Sequence, residues 1–303
     1  MGTPEFAVPM LQALNESAHD VVAVITAPDK PAGRGMQLQE SEVKLKAKEL
    51  GLYVMQPEKL KNENFLAELK TLNADLFVVV AFRMLPEAVW NLPHLGTINL
   101  HASLLPQYRG AAPIQRAIMN GETETGVTTF FLQHEIDTGK IIFQEKIPIR
   151  ENETGGELYH ALMQLGASVL LKTVNAIAAG NYPQIPQDHI TEIHHAPKIF
   201  KEDCKIDWSK PAKQGYDLIR ALNPYPGAFT HLNGKLFKIY EAKWSDKNTG
   251  TAGSIDTDNK TYLKINCGEG SLEITQCQPE GKRKMNIEEF LRGTVVDTTT
   301  PLS

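Results

Sequence analysis

The chain has 303 residues, 42% of them hydrophobic and 22% charged, with a formal net charge of -5. That length suggests two domains with well-filled cores, and the composition is that of an ordinary globular protein. The acidic balance argues against a uniformly basic nucleic-acid binder, although the charge is uneven. From Lys205 onward 14 Lys and Arg stand against 12 Asp and Glu; before it the counts are 17 and 24. No run of roughly 18 apolar residues is visible and no basic-then-apolar leader opens the chain, so no membrane span and a cytoplasmic location are expected.

In chain order, "DVVAVIT" (20–26), "DLFVVVAF" (75–82) and "TINLH" (97–101) are β-branched and nearly continuous in apolar residues, as strands buried on both faces are. Helical patterns lie before and between them, over 4–17, 44–50 and 62–72. Strand and helix alternate, which predicts an α/β fold: a Rossmann-like parallel sheet with helices on both faces and ligands outside the carboxyl ends of its strands. After "TINLH" the pattern changes. Residues 126–149 read as two strands around a turn at Asp137-Thr138-Gly139, and 154–179 as a long amphipathic helix with Thr154 at its N-cap. A Pro-spotted connector follows. From about Phe229 short alternating runs, with hairpin signals at Asn233-Gly234 and at 268–270, predict a small C-terminal β-barrel of OB-like type closed by "NIEEFLRG". The expected division is 1–182, a linker over 183–204, and 205–303.

Several chemistries lack their signatures. There is no GxGxxG or GxxxxGK[ST] cradle for a nucleotide phosphate and no GxSxG elbow. Cys204, Cys267 and Cys277 form no CxxC pair, and the adjacent His194 and His195 lack metal-ligand spacing and read as loop residues. One stretch stands out, "INLHASLLPQYRG" (98–110). Asn99 and His101 are two apart at a strand's carboxyl end, so both project to one face. An amide donor beside a titratable imidazole suits acyl-type transfer. The amide supports an oxygen that becomes negative in a tetrahedral intermediate, and the imidazole moves protons near neutral pH. By itself the pair reads equally as a structural strand end.

The longer string decides between these. "NLHASLLPQYRGAAPIQRAI" followed by "ETGVTTFFLQHEIDTGKII" resembles the folate-dependent formyltransferase family, whose signature joins Asn-x-His, a Ser-Leu-Leu-Pro loop and an Asp in a D-T-G turn. "GTPEFAVPML", "APDKPAGRG", "IDWS" and "RALNPYPGAF" extend the likeness over nearly the whole chain. The resemblance implies transfer of the formyl group of 10-formyltetrahydrofolate to an amine. "DKPAGRG" and the β-rich tail point to members whose acceptor is the α-amino group of methionine on initiator tRNA. It implies Asn99 as oxyanion donor, His101 as proton carrier, and Asp137 as the group that orients His101 and favours its cation; which of His101 and Asp137 takes the first proton stays open. It further implies folate contacts from Ser103, Leu104, Leu105 and Pro106, tRNA contact from Arg34, tRNA binding by the tail domain, no metal, and a monomer. Arg109 is as readily a positional residue as a ligand contact. Lys282-Arg283-Lys284 is a further phosphate candidate, though such short runs are ordinarily solvated turns.

Three rival readings remain at this stage: an N-formyltransferase acting on an amino-sugar nucleotide, a hydrolase that removes formyl from folate, and a tRNA- or folate-binding protein without turnover. One departure is expected to matter for stability. The family has an apolar first strand before "GTPEFAVP", whereas here Met1 stands directly at that turn, which predicts an open apolar slot in the sheet and a start assigned too far downstream.

Overall fold

The computed structural model describes residues 1–32, 37–187 and 192–302. They form two compact units, one of Met1–Gly110, Thr125–Ile147 and Tyr159–His195, the other of Ala111–Glu124, Pro148–Leu158 and Ala196–Ser303. Two segments ahead of residue 182 thus cluster with the C-terminal part, a division that a linear reading of domain boundaries does not contain.

In chain order the regular elements of the first part are α1 (Val8–Asn15), β1 (Val24–Ile25), α2 (Glu42–Glu49), β2 (Val54–Met55), α3 (Glu63–Thr71), β3 (Phe77–Val80) and β4 (Thr97–His101). They continue with α4 (Pro113–Met119), β5 (Glu124–Phe131), β6 (Ile141–Pro148) and α5 (Gly155–Ala178). Helix starts follow local chemistry. Ser41 accepts from the Lys44 N–H at 3.2 Å and Asn62 from the Phe65 N–H at 3.1 Å, each satisfying a donor the helix leaves orphaned. Before α5, Thr154 and Glu157 form a reciprocal capping box: the Thr154 N–H donates to Glu157 at 2.9 Å and the Glu157 N–H to Thr154 Oγ1 at 3.2 Å.

β1 and β2 pair in parallel, as do β3 and β4. The sheet then turns mixed, because β5 runs antiparallel to β4, and its order is β3-β4-β5-β6. Helices cover both faces, as the alternating pattern requires. On one side Phe65 and Leu69 of α3 pack with Ile25, Met55, Phe77 and Val79. On the other, α5 comes so close that a Cβ on Gly166 would lie 2.4 Å from Met10 of α1 and 3.2 Å from Leu100 of β4. By length and composition α5 is apolar enough to cross a membrane, an exception to the expectation above. Its Leu162, Val169 and Leu170 are almost fully buried, which is the pattern of a core helix.

Met1 and Gly2 occupy the place between β1 and β3. The Gly2 N–H donates to Ile25 at 3.0 Å, the Val80 N–H to Met1 at 2.9 Å, and the Met1 ammonium to the Val78 carbonyl at 2.7 Å. Beside them lies a cavity of about 430 Å³ walled by side chains such as Leu11, Val24, Leu69, Phe77 and Ile177. Burial lowers the Met1 amine to about 5.

The second unit is built on α6 (Ala212–Ala221) and an antiparallel half-barrel sheet. Its strands are β7 (Ala228–Leu232), β8 (Lys235–Ser245), β9 (Ile255–Thr257), β10 (Leu263–Asn266), β11 (Ser271–Pro279) and β12 (Met285–Asn286), in the order β7-β8-β11-β10-β9 with β12 on β11; α7 (Ile287–Arg292) closes the chain's regular structure. The β7–β8 hairpin turns at Asn233 and Gly234, both at positive φ, as its two-residue signal predicts. A register shift near Glu241 bends β8. Ile206, Trp208, Ile219, Leu222, Ile239 and Ile274 fill the core. At the start of α5 the backbone touches that of α6: a Cβ on Gly155 would lie 2.2 Å from the Ala221 carbonyl oxygen, and the Gly156 N–H donates to Asn223 at 2.9 Å. Gly155→Ala is expected to destabilise the fold by about 1–3 kcal/mol, the cost of overpacking, read as a lower urea midpoint.

Candidate active site

β4 runs between β3 and β5, with Asn99 opposite Val79 on one side and Phe130 on the other, and His101 opposite Thr128. Alternation puts Asn99 and His101 on the same face about 6.6 Å apart along the strand. Asn99 is half-buried, and no hydrogen bond of its side-chain amide is found among the described residues. Its N–H donors are thus available.

His101 is buried, and its Nε2 lies 2.8 Å from the Tyr108 carbonyl oxygen. A carbonyl only accepts, so Nε2 carries the hydrogen and, in the neutral ring, Nδ1 carries the lone pair. Nδ1 faces Asp137 Oδ2 at 3.8 Å, too long for a hydrogen bond. Asp137 Oδ2 also accepts the Gly110 N–H at 3.0 Å. One ring nitrogen of His101 is thus held by the Tyr108 carbonyl while the other faces the Asp137 carboxylate. Asp137 and Tyr108 both have positive φ, 55° and 60°, a conformation that costs non-glycine residues energy and concentrates at functional sites.

The Ser-Leu-Leu-Pro loop is tied down from inside. Thr128 Oγ1 donates to the Ser103 carbonyl at 2.6 Å and accepts from the Leu105 N–H at 3.1 Å, and Gln144 Nε2 donates to the Leu105 carbonyl at 2.7 Å. Ser103 spends its hydroxyl on the Gln107 carbonyl at 2.6 Å. Ser103, Leu105 and Pro106 are buried and Leu104 is half-buried, so Leu104 is the side chain of the four with surface to offer. Thr128→Val keeps the shape but orphans a buried carbonyl and N–H. A loss of about 1–3 kcal/mol is expected by chemical denaturation.

Arg34 lies outside the described residues. The antiparallel arms on either side of it, Lys30–Ala32 and Gln37–Gln39, are described. Their base is fixed by Asp29, which accepts from Lys44 at 2.6 Å and from Gln56 at 2.7 Å; these bonds hold its carboxyl below the usual range. Of the basic run in the second unit, Arg283 pairs with Glu289 and Lys284 lies 4.5 Å from the Tyr240 ring centroid. No group of three or more His, Cys, Asp and Glu side chains suited to a metal ion occurs among the described residues.

Three contacts around these residues escape the sequence motifs. The Tyr108 carbonyl is a backbone group and leaves no residue signature. His194, read as a loop residue, accepts the Tyr108 N–H on its carbonyl at 2.6 Å and packs its ring edge-on to Tyr108. Gln187 contacts both Arg109 and the Asp137 turn from 50 positions beyond that aspartate.

Comparison with known proteins shows the family. Residues 1–174 match the formyl transferase family and residues 198–295 its C-terminal domain. Methionyl-tRNA formyltransferases of Parabacteroides distasonis and Bacteroides fragilis are 54% and 51% identical, over 97% of this chain and 94% and 93% of theirs. That of Phocaeicola vulgatus is 53% identical with the same 97% and 94% coverage. Among solved structures, a sugar 3N-formyl transferase determined with dTDP and 5-N-formyl-THF superposes with a TM-score of 0.67 at 22% identity, covering 93% of this chain and 97% of its own. An N-formyltransferase from Helicobacter canadensis with folinic acid and dTDP-3-aminofucose gives 0.66 at 22%, covering 94% and 97%. At such identity these two show a shared fold.

Proposed function

This chain belongs to the formyl transferase family, and we propose that it moves the formyl group of 10-formyltetrahydrofolate to the α-amino group of methionyl initiator tRNA, supporting translation initiation. Relatives bearing that activity share about half of the residues over nearly the full length, whereas the amino-sugar enzymes share 22%; the amino-sugar acceptor is therefore not favoured. The observation that carries the chemistry is the open Asn99 amide on one strand face with His101, whose Nδ1 looks toward Asp137.

Formyl transfer makes a bond between the amine nitrogen and the formyl carbon and breaks the bond from that carbon to the folate nitrogen. Asn99 donates to the formyl oxygen as it gains charge. His101 Nδ1 takes the proton released by the attacking nitrogen, and the Asp137 carboxylate stabilises the imidazolium. The same Nδ1–H then protonates the departing folate nitrogen, so the ring returns to its starting tautomer with Nε2–H held throughout by Tyr108. Folate bound here carries the formyl group already activated as an N-acyl amine, so the residues need only orient it and move the proton. The loop 103–106 borders the folate, with Leu104 as its apolar contact, and Arg34 with the C-terminal unit contacts the tRNA backbone. The protein acts as a monomer in the cytoplasm.

Steady-state assays with formylfolate and, in parallel, charged initiator tRNA or an amino-sugar nucleotide test the acceptor. A kcat/KM higher with the tRNA supports this reading, and preference for the sugar nucleotide overturns it.

A further inference from the structure

The geometry points to Gln187 as a positioning residue that sets the gap between His101 and Asp137, an inference that rests on the catalytic reading above. Gln187 is 9% exposed and uses both ends of its amide. Oε1 accepts from Arg109 Nε at 3.1 Å and from the terminal nitrogen Nη2 at 2.7 Å. Nε2 donates to the Asp137 carbonyl at 3.0 Å and to the Gly139 carbonyl at 2.7 Å. One side chain therefore ties together two segments that meet at the site. The first, through Arg109, is the loop whose Tyr108 carbonyl fixes His101 and whose Gly110 N–H fixes the Asp137 carboxylate. The second is the D-T-G turn that carries Asp137 in its left-handed conformation.

The role needs an acceptor and a two-hydrogen donor on one rigid group of this length, which only glutamine supplies. Glutamate keeps the Arg109 pair but turns a carboxylate toward the Asp137 and Gly139 carbonyls; the resulting repulsion pushes the turn away. Methionine fills the space and breaks all four bonds. Gly139 leaves the turn little freedom to compensate, since a Cβ there would lie 1.6 Å from the Phe131 carbonyl oxygen and the turn already rests on that backbone. The Asp137 carboxylate, not its main chain, faces His101, so a shifted turn changes the Nδ1 to Oδ2 distance directly. Arg109 acquires its positional role by the same route.

The test compares the wild-type chain with Gln187→Glu and Gln187→Met. Losing a supporting partner of an active-site group typically costs 10- to 100-fold. We expect both variants to lose about that much kcat, with KM for formylfolate nearly unchanged. An independent readout is nitrogen NMR of the His101 ring, assigned with a His101→Gln variant: the wild type shows a protonated Nε2, and Gln187→Met shifts the ring toward a mixed tautomer. If wild-type transfer is normal while both variants keep kcat within a factor of about two and leave the His101 tautomer unchanged, the inference fails. If the wild type transfers to no amine, the catalytic reading fails instead, and the NMR comparison still reports on the clamp.

Discussion

His101→Ala is expected to lower kcat for formyl transfer by on the order of a hundred- to ten-thousandfold, the range associated with losing a positioned proton carrier. The effect belongs in kcat because His101 exchanges protons with the reacting nitrogens and its Nε2 is already committed to Tyr108; it lends little to ground-state binding. His101 is buried, so the variant also leaves the Tyr108 carbonyl without its donor. Thermal melting of the same preparation separates that cost from the catalytic one, since a folded population with unchanged KM and depressed kcat has lost chemistry. Activity within a factor of a few of wild type would remove His101 from the mechanism.

Asn99→Ala is expected to cost on the order of a hundred- to a thousandfold in kcat, as loss of one oxyanion donor does elsewhere. No hydrogen bond of its amide is found among the described residues, so truncation breaks none there, and stability should change by less than about 0.5 kcal/mol. Asn99→Asp discriminates further. It keeps the size but replaces a donor with a negative charge where the formyl oxygen gains its own, so it should fall below the alanine variant. Equal rates for the two would mean that Asn99 is near the site without touching the oxygen. Rapid-quench kinetics on both variants, read against the wild type, measures the difference.

The parts of this site that were legible in the sequence are those whose chemistry sits in side chains at short range. Asn99 and His101 are two apart on one strand, so period-two geometry places them together before any fold is known. Thr154 announces an N-cap, and Asn233-Gly234 a hairpin, for the same local reason. Asp137 required the family's string, because nothing local says that a turn between β5 and β6 meets the end of β4. The contact of His101 with the Tyr108 carbonyl was not legible: a backbone carbonyl has the same letter code whether or not it accepts from an imidazole. Gln187 was hidden by distance in the chain and by sitting in a Pro-spotted segment that reads as connector. The interleaving of 111–124 and 148–158 with the C-terminal unit was hidden likewise, since tertiary clustering leaves no mark on linear composition.

The central claim joins an acceptor to a pair of residues, and one labelling measurement addresses both. Formylfolate labelled in its formyl carbon is mixed with charged initiator tRNA and the wild-type chain or the Asn99→Ala, His101→Ala double variant; the amino acid is then released from the tRNA and its label counted. The account predicts label on N-formylmethionine with the wild type and none above the enzyme-free rate with the double variant. Label recovered from the wild type as free formate, or equal label transfer by the double variant, would contradict it.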